Sequence, residues 1–152
     1  RHSYLFYLPR LNMRGTPQTM QQHTDYADIM EEIMLYFARK VRQLRLLGVN
    51  DIILDPGFGF SKTVDQNYML MGHLREFKDF GLPLLVGVSR KSMIYKYLGG
   101  TPAYSLNGTT VLNTIALLNG TDILRVHDVK AAVEAVKLVS KTFNFQLSTF
   151  NC

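Results

Sequence analysis

Asp55 ends an apolar run, Ile52-Ile53-Leu54, and opens a loop that reads Pro56-Gly57-Phe58-Gly59-Phe60-Ser61-Lys62-Thr63. A carboxylate fixed there can accept from two N–H donors of one planar ligand, while the glycines let the backbone turn tightly and the aromatics offer flat apolar contact. The same residues also fit an ordinary βα loop in which Asp55 caps a helix or accepts main-chain N–H groups. Gly57-x-Gly59 lacks the third glycine of a dinucleotide fingerprint, and Gly59 to Thr63 lacks the Gly-Lys-Ser/Thr spacing of a P-loop, so neither nucleotide motif is complete.

A second stretch, Gly87-Val88-Ser89-Arg90-Lys91-Ser92-Met93-Ile94, sets two cations and two hydroxyls at a strand-to-helix junction. Free N–H groups at such a junction attract anions, so an oxygen-rich anionic ligand suits it. The alternative is a Ser-capped helix with solvated basic residues. In the third stretch, Ile123-Leu124-Arg125-Val126-His127-Asp128, period-two alternation puts Arg125 and His127 on one face of a strand. Arg supplies a bidentate fork for phosphate, and His donates a charge-assisted bond or moves a proton near neutral pH. Arg125 and His127 beside the second basic junction point to a phosphate site.

These residues need elements to hold them. From Asp25 to Leu47, Ile29, Ile33, Phe37, Val41 and Leu44 recur at helical spacing, with Gly48 as the C-cap. Asp51 to Asp55 reads as a buried strand. The spacing predicts a second helix from Val64 to Phe80, with Tyr68, Met71, Leu74, Leu70 and Phe77 on one face and Gly81 as its stop. Leu84 to Val88 is a second buried strand. Leu106 to Leu118 is a helix with Val111, Thr114, Ile115 and Leu118 in register, closed by Gly120. Asp122 to Val126 is a third strand, and a last helix starts at Asp128, its expected N-cap, and runs through Ala132, Val133, Val136 and Val139. Leu5 to Met13 is a candidate strand ahead of them all.

The 152 residues are 47% hydrophobic, enough to bury one core in a single domain. The 17 Lys and Arg against 12 Asp and Glu leave a net +5 without any run of like charge, which argues against a nucleic-acid stripe or a polybasic membrane patch. The single Cys152 rules out an internal disulfide framework and makes the cytoplasm the expected compartment. No apolar stretch approaches the roughly 18 to 20 residues of a membrane-spanning helix. Arg1-His2-Ser3 is neither an initiator Met nor a signal pattern, so further chain is expected upstream.

Apolar strands alternating with helices give a parallel sheet covered by helices, an α/β class. The strand ends at Asp55, Ser89 and His127 are 34 and 38 residues apart, the size of one βα unit, so the chain holds about four units. An eight-unit barrel takes about 250 residues, which leaves half of a barrel or a complete open sheet of flavodoxin type.

Asn12-Met13-Arg14-Gly15-Thr16-Pro17-Gln18-Thr19-Met20, followed in order by Asp55 to Lys62, Gly87 to Ile94 and Arg125-Val126-His127-Asp128-Val129, resembles the C-terminal half of the dihydropteroate synthase family from about residue 12 to residue 140. The resemblance implies a (β/α)8 TIM barrel of which this chain is the fifth to eighth units, a partial pterin-binding domain over 1–152 without its N-terminal half. It implies condensation of p-aminobenzoate with 6-hydroxymethyl-7,8-dihydropterin pyrophosphate, with release of pyrophosphate, in folate synthesis. By the same resemblance Asp55 pairs with the pterin's N–H donors, and Lys91 reaches a pterin acceptor while its stem lines the aminobenzoate pocket. Met13 packs on the pterin face, Phe60 and Gly87 line the pocket, Ser92 sits near the aminobenzoate carboxylate, and Arg125 and His127 anchor the pyrophosphate. Lys91, Arg125 and His127 are the expected catalytic residues. Mg²⁺ assistance is implied, with its ligand in the N-terminal half and none here. A homodimer through the helices from Leu106 onward and inhibition by sulfonamides are implied as well.

Departures from the family pattern are Arg1 to Leu11, which fit the fifth strand poorly, Asn12 for a usual His, Ser61 for a frequent Gly, and Tyr95 for a usual Gly. Tyr95 is expected to crowd its helix while leaving Lys91 and Ser92 in place. Two other readings stand beside the synthase. One is a related pterin-binding barrel that transfers methyl groups from folates, and the other is a truncated, non-catalytic chain. Asp55, Lys91, Arg125 and His127 are expected to meet at one mouth of the sheet.

Overall fold

The computed structural model describes residues 4–7, 26–60 and 62–143. Met13 and Ser61 lie outside them, as do Asn12 and Cys152. Of the strand expected from Leu5 to Met13, the described part is β1, Tyr4–Tyr7. Next comes α1, Tyr26–Leu46, which buries Met30, Ile33, Phe37 and Val41 along one stripe while Glu31, Glu32, Arg39 and Arg42 face solvent. Phe37 is the anchor of that stripe: its ring meets Phe77 edge-on, with centroids 5.3 Å apart and planes at 83°.

Strand β2, Ile52–Asp55, pairs in parallel with β1, Tyr7 lying opposite Asp55. Ile52 and Leu54 are buried under the helices, whereas Ile53 and Asp55, on the other face, are half-buried. A parallel bridge between Leu54 and Leu84 joins β2 to β3, Leu85–Val86. β3 in turn pairs in parallel with β4, Ile123–Leu124. The strands at 84–88 and 122–126 are therefore shorter than their apolar runs, because the residues beyond Val86 and Leu124 turn away to form the site. Strand order follows chain order without a reversal. A flavodoxin-type sheet reverses its order at a switch point, so the winding is that of consecutive units of a barrel.

The helix expected over Val64 to Phe80 is two segments. α2, Val64–Gly72, opens with a capping box in which Thr63 and Gln66 satisfy each other's amides, and ends at His73. A 3-10 helix, Leu74–Phe80, follows. Its apolar residues Leu74, Phe77 and Phe80 are spaced by three, the period of a 3-10 turn, so the tighter helix puts all of them toward the core. α3, Ser92–Leu98, and a short 3-10 turn, Pro102–Tyr104, fill the next crossover. Tyr95 is half-buried in α3 and its carbonyl accepts from Gly100 N at 2.8 Å, with Lys91 and Ser92 still heading the helix.

α4, Leu106–Leu118, turns the opposite face inward from the one expected. Thr109, Leu112, Asn113, Ala116 and Leu117 are buried, whereas Val111 and Ile115 are 50% and 36% exposed. α5, Val129–Phe143, packs on it through Ala132, Ala135 and Val139 and leaves Val133 and Leu138 outside. Among the described residues no helix is long and apolar enough to cross a membrane.

Gly108 lets α4 lie against α3: a Cβ there stands 2.4 Å from Ile94 Cγ2 and 3.4 Å from Leu98 Cδ1. Helix propensity alone favours Gly→Ala by about 1 kcal/mol, but forcing a methyl into a packed contact costs typically 1–3 kcal/mol. The clash wins because Ile94 is itself buried. Gly108→Ala is expected to lower the thermal midpoint, and a midpoint equal to or above the parent's would refute this packing.

Candidate functional site at the strand ends

Asp55 is the last residue of β2 and stands half-buried where the sheet opens. Its Oδ1 accepts from Gly57 N at 2.8 Å, while Oδ2 has no partner among the described residues. Burial pushes its carboxyl above the usual range, against the pull of the Gly57 amide and of the Lys91, Lys62 and Arg125 charges. A carboxylate in that state still has lone pairs free for N–H donors of a ligand.

The loop after Asp55 is gripped from several sides. Lys62 Nζ donates to Gly57 O at 2.8 Å and to Phe60 O at 3.4 Å, tying its two ends together. Asn67, buried in the first turns of α2, accepts from Gly59 N at 2.7 Å and donates to Thr63 O at 2.7 Å. Lys91 comes from the far side, donating to Phe58 O and lying 4.6 Å from the centre of the Phe60 ring. Gly59, at φ 78°, makes room for it: a Cβ there would stand 3.0 Å from Lys91 Cδ. Burial lowers both lysines. Lys62 falls to about 8, with Asp55 opposing the fall and Lys91 adding to it. Lys91 moves in the same direction, with Asp55 opposing and Arg125 adding.

The ends of β3 and β4 are braced to each other. Ser89, buried, accepts from His127 N at 3.2 Å, and its Oγ lies 3.0 Å from His127 Nδ1. Arg90 donates from Nε and Nη2 to the two oxygens of Asp128, at 2.9 and 2.8 Å, and from Nη1 to Pro102 O and Ala103 O. Asp128 therefore spends its carboxylate on Arg90 and not on the amides of α5, although its carbonyl still takes the first helical bond from Ala132 N. Arg90 likewise is no solvated cation. The α3 junction is headed by Lys91 as N-cap without a side-chain cap, so the Ser-capped alternative does not hold.

Asp55, Phe60, Gly87, Lys91 and Arg125 form one connected group at the carboxyl ends of the strands. Asp55 is charge-coupled to Lys62, Lys91 and Arg125, and a Cβ at Gly87 would stand 3.5 Å from Arg125 Cβ. His127 sits at the same end, exposed, and is tied to Ser89. Ser92 is half-buried at the first position of α3, and its hydroxyl has no partner among the described residues. Met13 lies outside the described residues.

A family model described as pterin binding enzyme matches residues 10–127. The chain belongs to the pterin-binding enzymes. It is 43% identical over 136 residues to the dihydropteroate synthase of Escherichia coli K12, covering 88% of this chain and 48% of that protein. The dihydropteroate synthase of Synechocystis is 46% identical over 131 residues, covering 84% of this chain and 45% of the relative. The Yersinia pestis dihydropteroate synthase in complex with a sulfonamide drug superimposes with a TM-score of 0.76 at 41% identity, over 88% of this chain and 49% of that one. The Coxiella burnetii dihydropteroate synthase with pteroic acid gives 0.76 at 35% identity, over 79% and 46%. The chain thus spans about half the length of the curated relatives it matches, and its fold is a segment of their (β/α)8 barrel.

Lys62, Asn67 and the ion pair of Arg90 with Asp128 join this group in the structure without having been given that place by sequence spacing, which marked Ser89 only as a strand end and Asp128 only as a helix cap. Lys62 and Arg90 were visible only as basic residues in the right stretches, and Asn67 as one polar residue of a helix. Among the described residues no three His, Cys, Asp or Glu side chains stand close enough to hold a metal ion. Both oxygens of Asp128 are taken by Arg90, and Asp55 stands alone among the positive charges of Lys91, Lys62 and Arg125, so the described part of the site does not fit a Mg²⁺ centre.

Lys62 should be the most readily deprotonated of these lysines. In pH-dependent amine labelling read by mass spectrometry, its reactivity is expected to rise with a midpoint near 8, against about 10.4 for solvated lysines. Asp55→Asn removes an opposing charge and is expected to lower that midpoint further. Since the folded chain gives up this proton before the unfolded chain does, Lys62 adds stability as pH climbs from about 8 toward 10.5. A Lys62 that titrates with the exposed lysines would overturn this account of the loop.

Proposed function

We propose that this chain supplies the C-terminal half of a dihydropteroate synthase, which joins p-aminobenzoate to 6-hydroxymethyl-7,8-dihydropterin pyrophosphate and releases pyrophosphate. The observation that carries it is one half-buried carboxylate, Asp55, coupled to Lys62, Lys91 and Arg125 at the carboxyl ends of parallel strands. A pterin offers adjacent N–H donors to such a carboxylate, and a pyrophosphate offers oxygens to such cations. The names of the relatives, and the sulfonamide and pteroic acid held by two of the solved neighbours, support the same reading.

In this proposal Asp55 accepts from the pterin's amino and ring N–H groups, its Oδ1 steadied by Gly57 N. Lys91 leaves the Phe58 carbonyl for a pterin acceptor, and its stem with the Phe60 ring makes one wall of the aminobenzoate pocket. Ser92 contributes a free hydroxyl near the aminobenzoate carboxylate. Met13 packs on the pterin face and Gly87 keeps the floor low beside Arg125. The bond between the pterin methylene and the pyrophosphate oxygen breaks, the electron pair leaving with that oxygen, and Arg125 and His127 stabilise the charge that gathers there. The arylamine nitrogen then bonds to the methylene carbon and loses a proton. Catalysis by these residues is positioning and charge stabilisation.

We assign the Mg²⁺ that the resemblance implies to ligands of the complementary half and route no step through it. We place the contact of a homodimer on the outer face of α4 and α5, where Val111, Ile115 and Leu138 are exposed beside a groove of about 680 Å³ lined by Tyr104, Leu106, Thr110 and Val139. The compartment we propose is the cytoplasm, where a single Cys152 stays reduced.

The 152-residue chain alone is expected to show no dihydropteroate formation, and activity is expected when the N-terminal half of a close relative is added. Turnover by the chain alone at a normal enzyme rate would refute the half-barrel reading. In the completed enzyme, Arg125→Ala should weaken the pyrophosphate-bearing pterin by about 10- to 100-fold, the worth of one charge-assisted hydrogen bond, and leave the bare pterin nearly unchanged. Asp55→Asn should weaken both. Calorimetry with the two ligands checks this, and equal losses for both ligands in Arg125→Ala would contradict the assignment.

A further inference from the structure

Ser89 is 5% exposed, and its Oγ has two polar partners among the described residues, both on His127: the main-chain amide at 3.2 Å and Nδ1 at 3.0 Å. A hydroxyl carries one proton and two lone pairs. The amide N–H occupies one lone pair, which leaves two arrangements for the neutral ring. If Nδ1–H donates to Oγ, the serine proton is buried with no acceptor, a loss comparable to a missing hydrogen bond. If Oγ–H donates to Nδ1, every group is satisfied and the ring proton stands on Nε2. The carboxylate next door does not compete for the ring, because both oxygens of Asp128 are taken by Arg90.

We propose that Ser89 is a positioning residue that holds His127 in its Nε2–H form, so that the ring presents a donor, beside Arg125, to a phosphate-type oxygen. The sign matters: the other tautomer would turn a lone pair toward the ligand's own lone pairs. Ser89 touches no ligand in this scheme and acts through the imidazole. The inference rests on the anion-binding reading of Arg125 and His127 given above.

The test is imidazole ¹⁵N NMR of the 152-residue chain at about pH 8, above the ordinary imidazole range, with and without inorganic pyrophosphate. The wild type is expected to show His127 with a pyrrole-type Nε2 and a pyridine-type Nδ1. Ser89→Ala is expected to mix the tautomers and weaken pyrophosphate by about three- to tenfold, the worth of one neutral hydrogen bond. Ser89→Thr, which keeps the hydroxyl, is expected to restore both. A pyrrole-type Nδ1 in the wild type overturns the inference, and that spectrum decides even where Ser89→Ala fails to fold. An unchanged tautomer in a folded Ser89→Ala overturns it as well. A tautomer that responds as expected in a chain that binds no pyrophosphate supports the positioning role of Ser89 and overturns the anion reading instead.

Discussion

Arg90 reaches across from the segment after β3 to the segment after β4 and closes a two-pronged bond on Asp128 at 2.9 and 2.8 Å. Much of the site depends on that brace. Arg90 sits at φ 53°, a left-handed conformation that side chains avoid, and it stays there because four of its side-chain bonds and the Thr109 hydroxyl on its amide hold it. The left-handed residue turns the chain sharply between the buried Ser89 and the head of α3. Lys91, next in sequence, is thereby sent back over Gly59 to the Phe58 carbonyl while the Arg90 side chain points away to Asp128 and to the Pro102 and Ala103 carbonyls. Two consecutive residues, Ser89 and Arg90, thus fasten two others, His127 and Asp128, and a short β3–β4 pairing is extended by side chains beyond its last strand residue. Arg90 also holds Asp128 below the ordinary carboxylate range, so the bond stays ionic through the whole neutral region.

Around this brace the charges are unbalanced. Lys62, Lys91 and Arg125 surround a single half-buried carboxylate, and that carboxylate is raised by burial more than the cations lower it. A fold selected for stability alone would neutralise such a group or bury apolar side chains in its place. The lysines manage part of the imbalance by donating to loop carbonyls, Lys62 to Gly57 and Phe60, and Lys91 to Phe58. The carbonyls that quiet the lysines are also the ones that shape the loop, so the loop's form and the site's electrostatics are a single problem with a single solution.

Much of this was legible in the chain. The strand ends at Asp55, Ser89 and His127 stand out because polar residues follow apolar runs, although the second and third strands stop earlier, at Val86 and Leu124, and α1 announces itself through Ile33, Phe37 and Val41. The inner face of α4 was not legible: Val111 and Ile115 make the more apolar stripe, yet the buried stripe carries Thr109 and Asn113. Thr109 is inside because its hydroxyl is needed on the Arg90 amide, a tertiary demand that periodicity does not express. The 3-10 segment was hidden for a related reason, since Leu70, Leu74 and Phe77 satisfy a 3.6-residue period almost as well as a period of three. Asp128 read as a helix cap because caps are local, while its real partner lies 38 residues away.

Among the described residues, pairing in chain order leaves β1 at one edge of the sheet and β4 at the other, and Ile123 and Leu124 of β4 are only half-buried. Edge strands of this kind present unpaired N–H and C=O groups, which a barrel removes by closing. The half-buried face of β2, with Ile53 and Asp55, is the face a closed barrel turns inward. Closure and catalysis in the proposed enzyme therefore have one requirement in common. In that proposal a second half covering the open face would also exclude water from above Asp55 and Lys91, and in a drier site the attraction between Lys91, Arg125 and an anionic ligand is stronger. Because Lys62 and Arg125 each repel Lys91, an anion that relieves that repulsion would, in the proposed enzyme, also stabilise the closed form. In the proposed enzyme, anion binding and barrel closure would in this way be coupled through the same positive charges.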